Sequence, residues 1–271
     1  MAYRKGGPLV SFRPSFVPFT LVYHMVLAPM RMISWLMFSL RMRGREHLRD
    51  LRAGILVSNH TLLLDPGIIA HAIRPRRTYF TMLEETALVP TLGTFVRLLG
   101  GVPIPETPDA MRSLENAARE AVARLGFLHF FPEGECYRDS QTIRAFHPGA
   151  FLLACRLGLP VVPVTTVLHE RLWRGKTTFR LLGRTLRVPP RVTMVIGAPI
   201  LPPLALLSSA RDLPGAPFLK RAARDLARRT REVMQTTIDE AGGCKSMDRG
   251  LMPRMVKHPE SNGERGAAQA G

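Results

Sequence analysis

The stretch from Ser58 to Pro66 reads SNHTLLLDP and sets an imidazole, His60, five residues before a carboxylate, Asp65. Histidine is the side chain that exchanges a proton near neutral pH, and a carboxylate can hold an imidazole in one tautomer and stabilise its charge. On one ideal helix the two positions would diverge by roughly 140°, so a single helix cannot pair them. The preceding GILVS has the pattern of a buried strand, while Asp65-Pro66 has that of a helix N-cap followed by proline at the first helical position. A tight strand-to-helix turn would bring the two side chains together. Capping alone explains Asp65 equally well, and the spacing leaves both readings open.

A second group of reactive side chains lies in LHFFPEGECYRDSQTIRAFHPGAF, residues 128 to 151. Phe131, Pro132, Glu133 and Gly134 follow a short apolar run, which puts Glu133 at a strand exit, where α/β domains commonly bind ligands. A turn accounts for the proline and glycine just as well. Arg138, Arg144 and His147 follow closely, and such donors suit a phosphate. Cys136 next to His129 or His147 offers a thiol hydrolase as a rival, although a small residue in a turn is the simpler account of it. The G-x-S-x-G elbow of serine hydrolases is absent from the sequence.

Taken in order, these blocks resemble the glycerolipid acyltransferase family, of the lysophosphatidic acid acyltransferase type. Asn59-His60 through Asp65 matches N-H-x-x-x-x-D, Phe131 to Gly134 matches F-P-E-G, and Leu159 to Val164, LPVVPV, resembles the family's apolar strand with proline. The resemblance implies an α/β fold and O-acyl transfer to a lysophospholipid hydroxyl. It assigns His60 and Asp65 as the catalytic pair and Asn59, Phe131, Pro132, Glu133, Gly134 and Arg138 to substrate binding. The thioester of acyl-CoA or of an acyl carrier protein is then a co-substrate; no metal and no resident cofactor is expected.

Two departures bear on the acceptor. Where many members carry a glycine, an aromatic and an arginine, this chain has GGVPIPE, with Pro103 for the aromatic and Glu106 near the place of the arginine associated with the acceptor's phosphate. The F-P-E-G block continues as Glu135-Cys136-Tyr137-Arg138 instead of Thr-Arg-Ser, leaving Arg138 as a displaced candidate for the anion. Lysophosphatidic acid is the first-choice acceptor, with another lyso-lipid, such as an amino-acid-derived one, as the alternative.

The elements that must position these residues follow from periodicity. GILVS, LHFF, VVPVTTV and VTMVIG read as buried strands. Pro108 to Leu125, Ala150 to Leu157 and Pro217 to about Ala241 carry helical spacing. Strands alternating with helices predict an α/β class: a single domain with a mostly parallel mixed sheet flanked by helices. The expected division is a membrane-associated helical segment over 1–45, the catalytic domain with a C-terminal basic helix over 46–241, and a disordered tail over 242–271.

In the N-terminal segment, Pro14 to Met30 lacks Asp, Glu, Lys and Arg, but Pro18, Pro29, His24 and Arg31 interrupt any clean span. Two short interfacial helices fit better, with Trp35 at the interface and Arg41, Arg43 and Arg45 toward anionic headgroups. The formal charge of +17, from 38 Lys and Arg against 21 Asp and Glu, calls for anionic partners. An anionic membrane surface is expected, and nucleic acid is not, because the basic helix lacks interleaved aromatics. A non-enzymatic basic protein is the remaining rival. Three widely spaced cysteines give neither a disulfide framework nor a zinc site, which fits the cytoplasmic face of a membrane.

Overall fold

The computed structural model describes residues 25, 28–29, 31–32, 34–90, 92–104, 110–172, 174–181, 183–203 and 216–253. Short apolar runs become strands: β1 (Arg41–Arg43), β2 (Gly54–Ser58), β3 (Tyr79–Leu83), β4 (Gly101–Ile104), β5 (Phe127–Phe130), β6 (Val161–His169) and β9 (Arg191–Ile196). They form a seven-stranded sheet in the order β1-β9-β6-β2-β5-β3-β4. Every pairing is parallel except β6 with β9. Strands β7 (Thr178–Leu181) and β8 (Arg184–Arg187) make a separate antiparallel hairpin.

The helices are α1 (Asp65–Ala72), α2 (Glu84–Leu88), α3 (Leu92–Leu98), α4 (Ala110–Leu125), α5 (Gly149–Leu157) and α6 (Ala216–Glu240), with 3-10 turns at Arg45–Leu48 and Lys245–Met247. Strand side chains alternate between two cores because successive residues point to opposite faces. Ile55, Val57, Leu128, Phe130 and Val167 pack under Leu114, Phe151 and Leu226 of α4, α5 and α6. Leu56, Phe127, Val162, Val164 and Leu168 face Ile68 and Ile69 of α1, together with Phe38 and Met247. A sheet covered on both faces needs continuously apolar strands, and all five residues of β2 are buried.

The four expected strands and three expected helices are present, their described ends within a residue or two of those read from the pattern. Two boundaries move. Arg41 to Arg43 form an edge strand of the sheet, paired with Thr193 to Val195, so the domain begins before residue 46. Arg45 is not turned only toward a membrane: its guanidinium donates to the carbonyls of His71 and Ala72 and closes the C-terminus of α1. The tail does not begin at 242 as disorder either. Cys244 N–H bonds Leu168 O at 2.9 Å, and Met247 is buried; a polar sequence without periodicity conceals such backbone pairing.

Most of the N-terminal segment, including Pro14 to Phe19 and His24, lies outside the described residues, as do Glu106 and residues 254–271. Residues 34–38 are helical, with Trp35, Leu36 and Met37 exposed. Among the described residues no helix is long and apolar enough to cross a membrane.

Because Leu226 is fully buried where α6 meets the sheet, Leu226→Ala is expected to lower stability by about 2–5 kcal/mol, read as a shifted urea midpoint with an unchanged slope.

Candidate active site

Strand β2 ends at Ser58, and the chain turns through residues 59–64 before α1 begins. Asn59 fixes the exit. Its amide donates to Thr166 O at 3.0 Å and its carbonyl oxygen accepts from Thr166 N–H at 2.8 Å, clamping the turn onto the neighbouring β6. On the other side His60 N–H donates to Glu133 Oε1 at 3.2 Å, and Arg144 N–H donates to Glu133 Oε2 at 3.0 Å. The buried Glu133 is thus occupied by backbone donors on both oxygens. Burial raises its pKa, against the lowering effect of these two hydrogen bonds.

The turn brings His60 and Asp65 together, with Nδ1 and Oδ2 3.0 Å apart. The same Oδ2 accepts Thr61 N–H at 2.7 Å and Leu62 N–H at 2.8 Å. This differs from the expected cap. Leu64 is the N-cap, Asp65 and Pro66 occupy the first two helical positions, and the carboxylate reaches back to the preceding loop instead of forward into the helix. The physical reason is that the loop's two N–H groups converge on one carboxylate oxygen and turn it away from the helix. Oδ1 is buried without a hydrogen-bond partner among the described residues.

Phe131 stacks on the His60 ring with centroids 4.1 Å apart and planes 20° apart. Beneath it, the fully buried His129 meets Phe131 edge-on and bonds Ser58 Oγ through Nε2 at 2.7 Å. Burial, and then the nearby His60, press the pKa of His129 down to about 3, which keeps it neutral. His129 is hydrogen-bonded to Ser58 rather than to Cys136. The Cys136 thiol instead lies within hydrogen-bonding reach of His60. Gly134 has φ +74°, and a Cβ there would meet the His147 ring at 3.0 Å, so both conformation and space call for glycine.

The loop after Gly134 is held on two sides. Tyr137 N–H bonds His60 O and Asp139 N–H bonds Thr61 O, both at 2.9 Å. From the opposite side the C-terminal strand-like segment 249–252 pairs with it: Arg138 N–H to Gly250 O, Arg249 N–H to Arg138 O, and Met252 N–H to Cys136 O. Asp248 adds bonds to Ser140 Oγ and Arg144 Nη2. Arg138 thus enters through its backbone, and its side chain is half-buried with Nε unpartnered among the described residues. No local pattern marks Thr166, Ser58 or this strap, because their partners lie at least 71 residues away along the chain. Among the described residues no cluster of three or more His, Cys, Asp and Glu is arranged to hold a metal.

Desolvation on its own would lower the pKa of His60. The hydrogen bond to Asp65, followed by that to Cys136, outweighs it and raises the value to about 10.

Residues 39–167, which hold strands β1 to β5, most of β6 and the His60–Asp65 turn, match the family model described as Acyltransferase. A chloroplastic 1-acyl-sn-glycerol-3-phosphate acyltransferase of Brassica napus is 28% identical over 114 residues, 41% of this chain and 32% of that protein. A 1-acyl-sn-glycerol-3-phosphate acyltransferase of Saccharomyces cerevisiae is 26% identical over 219 residues, 79% of this chain and 65% of that one. The chain therefore spans from about a third to about two thirds of the length of these relatives. The crystal structure of the 1-acyl-sn-glycerophosphate acyltransferase PlsC from Thermotoga maritima shares the fold, with a TM-score of 0.53, 21% identity and coverage of 83% of this chain and 84% of that one. Over these residues the chain is similar to glycerolipid acyltransferases.

A raised His60 pKa means that the ion pair stabilises the fold fully below pH 6.5, and that this contribution disappears as pH rises through about 10. The imidazole resonances of His60 are expected to titrate well above 6.5 by NMR. In Asp65→Asn the same titration should move down, because burial then acts with less opposition.

Proposed function

We propose that this chain transfers a fatty acyl group from the thioester of acyl-CoA or an acyl carrier protein to the free hydroxyl of a lysophospholipid. Lysophosphatidic acid is the acceptor favoured by the names of the relatives, with phosphatidic acid as product. The observation that carries the reading is the 3.0 Å contact of His60 Nδ1 with the buried Asp65 carboxylate at the exit of a parallel strand. Glu106 in place of an arginine supports the alternative of another lyso-lipid acceptor, such as an amino-acid-derived one. Arg138 is our candidate for any acceptor phosphate. Three free cysteines and a basic surface support action at the cytoplasmic face of an anionic membrane.

In this mechanism Asp65 keeps the proton of neutral His60 on Nδ1, leaving Nε2 to take the proton of the acceptor hydroxyl. The hydroxyl oxygen adds to the thioester carbonyl, and the tetrahedral intermediate collapses by expelling the thiolate. That sulfur receives the proton back from the imidazolium, so the protein ends as it began. Phe131 limits rotation of the ring, while Asn59 and Glu133 fix the backbone on either side of it. A base so positioned supplies on the order of 10²–10⁴ in rate.

The thiol beside His60 supports one second reading, in which the acyl group passes first to Cys136 and then to the acceptor, with His60 serving both steps.

His60→Ala should reduce acyl transfer by about 10²–10⁴ with the fold intact, measured as thiol release in the presence of acceptor. Since only the neutral imidazole can act as base, kcat/KM of the native protein should climb as pH rises from 7 toward 10. Direct transfer predicts that Cys136→Ala retains turnover; loss of turnover together with an acylated Cys136 peptide in the native protein would establish the relay instead.

A further inference from the structure

A second anion site lies on the edge of the sheet that carries His60. Strand β6 runs parallel to β2 and antiparallel to β9, and β1 runs parallel to β9. The C-terminal ends of β2 and β6 therefore share one edge with the first residues of β9 and β1, Arg191 and Arg41. Register puts side chains on a common face as well: His169 pairs with Arg191, Val167 with Thr193, Arg41 with Thr193 and Arg43 with Val195. Three cations thus gather on one face, Arg191 two strand spacings and Arg41 and Arg43 three from the column of β2, roughly 10 to 14 Å.

They line a pocket of about 110 Å³ with Ser39, His169, Thr193 and Ala241. No carboxylate lines it, and among the described residues none of the three arginines makes a salt bridge. A concave group of unneutralised guanidinium groups with two hydroxyls suits the oxygens of a phosphate. Next to it, sharing Ser39 and Arg41, is a shallower cavity of about 400 Å³ lined also by Trp35, Leu36 and Leu40. Trp35 and Leu36 are 68% and 58% exposed, an apolar surface unusual beside so much positive charge. Arg171 ties this corner to the domain by donating to Met37 O and Ser39 Oγ.

We propose that this corner docks the headgroup of an anionic phospholipid in a bilayer: the phosphodiester in the Arg41, Arg43 and Arg191 pocket, and acyl-chain carbons along Trp35 and Leu36. The site is distinct from the His60 turn and shares only its edge, so a membrane engaged here lies where an acceptor drawn from it must enter. The inference uses the acyl-transfer reading for that last point alone. Lipid docking itself rests on charge and exposure.

The test is co-sedimentation of the full chain with vesicles of phosphatidylcholine, alone or with roughly a quarter phosphatidylglycerol, at moderate salt. Arg41→Gln/Arg43→Gln/Arg191→Gln should reduce partitioning onto the anionic vesicles at least about tenfold. A charge-matched control on α6, Lys220→Gln/Arg221→Gln/Arg224→Gln, should bind within about twofold of the native chain. Inorganic phosphate at the same ionic strength should compete weakly, because it lacks the apolar half; competition as strong as that of anionic vesicles would overturn the lipid assignment in favour of a free phosphate. Equal losses in both triple variants would assign binding to net charge and overturn the pocket, as would unchanged binding in the first. His60→Ala should bind vesicles like the native chain, so loss of turnover and loss of docking are read separately. Should the triple variant melt early, Arg191→Gln and Arg41→Gln singly must each show a partial loss on anionic vesicles, and no loss in either overturns the proposal.

Discussion

One carboxylate oxygen organises the site. Oδ2 of Asp65 receives the N–H groups of Thr61 and Leu62 and faces Nδ1 of His60, all within 3.0 Å. The two backbone bonds close the turn that follows β2, and closing the turn is what puts the imidazole beside the carboxylate. A fully buried carboxylate is costly unless it is satisfied, so the turn and the His60 orientation are favoured together. The imidazole prefers to be charged despite its own burial, because the hydrogen bond and negative charge of Asp65 outweigh that desolvation, and Oδ1 has no other partner among the described residues.

Around that turn, backbone pairing does the work usually assigned to side-chain contacts. Glu133 receives the N–H groups of His60 and Arg144, so the F-P-E-G segment holds the histidine from the side of β5. Asn59 holds it from the side of β6. The loop 137–139 hydrogen-bonds to His60 and Thr61 on one side and to the segment 249–252 on the other. The His60–Asp65 turn is therefore the inner layer of three, and its outer layer comes from the far end of the described chain. Buried polar groups so connected are costly to disturb singly.

Much of the fold was legible because apolar runs bounded by glycine or proline leave few alternatives. The strands read from GILVS, LHFF, VVPVTTV and VTMVIG are all in the main sheet. Strands β3 and β4 were not anticipated, since TYFTMLEE and GGVPI are short and adjoin helices, and β1 was read as a membrane-facing basic patch because Arg-Met-Arg alone has no strand signature. At the site, the pairing of His60 with Asp65 was legible from spacing and resemblance, but the direction of the Asp65 bonds was not: Asp-Pro before a helix is a cap signal, and only the loop geometry turns the carboxylate backward. The neutral, buried His129 and the strap over Cys136 depend on contacts made by distant segments. No local pattern encodes them.

The central claim is that Asp65 serves His60 chemically, beyond holding the turn. Asparagine at 65 retains an oxygen for the Thr61 and Leu62 N–H groups but cannot stabilise imidazolium by charge. The direct measurement is product formation from labelled acyl-CoA and a panel of lyso-lipids, identified by mass, with native chain and Asp65→Asn compared at equal thermal stability. The account predicts an acylated lyso-lipid from the native chain and almost none from a folded Asp65→Asn. A folded Asp65→Asn that forms product at the native rate would contradict it.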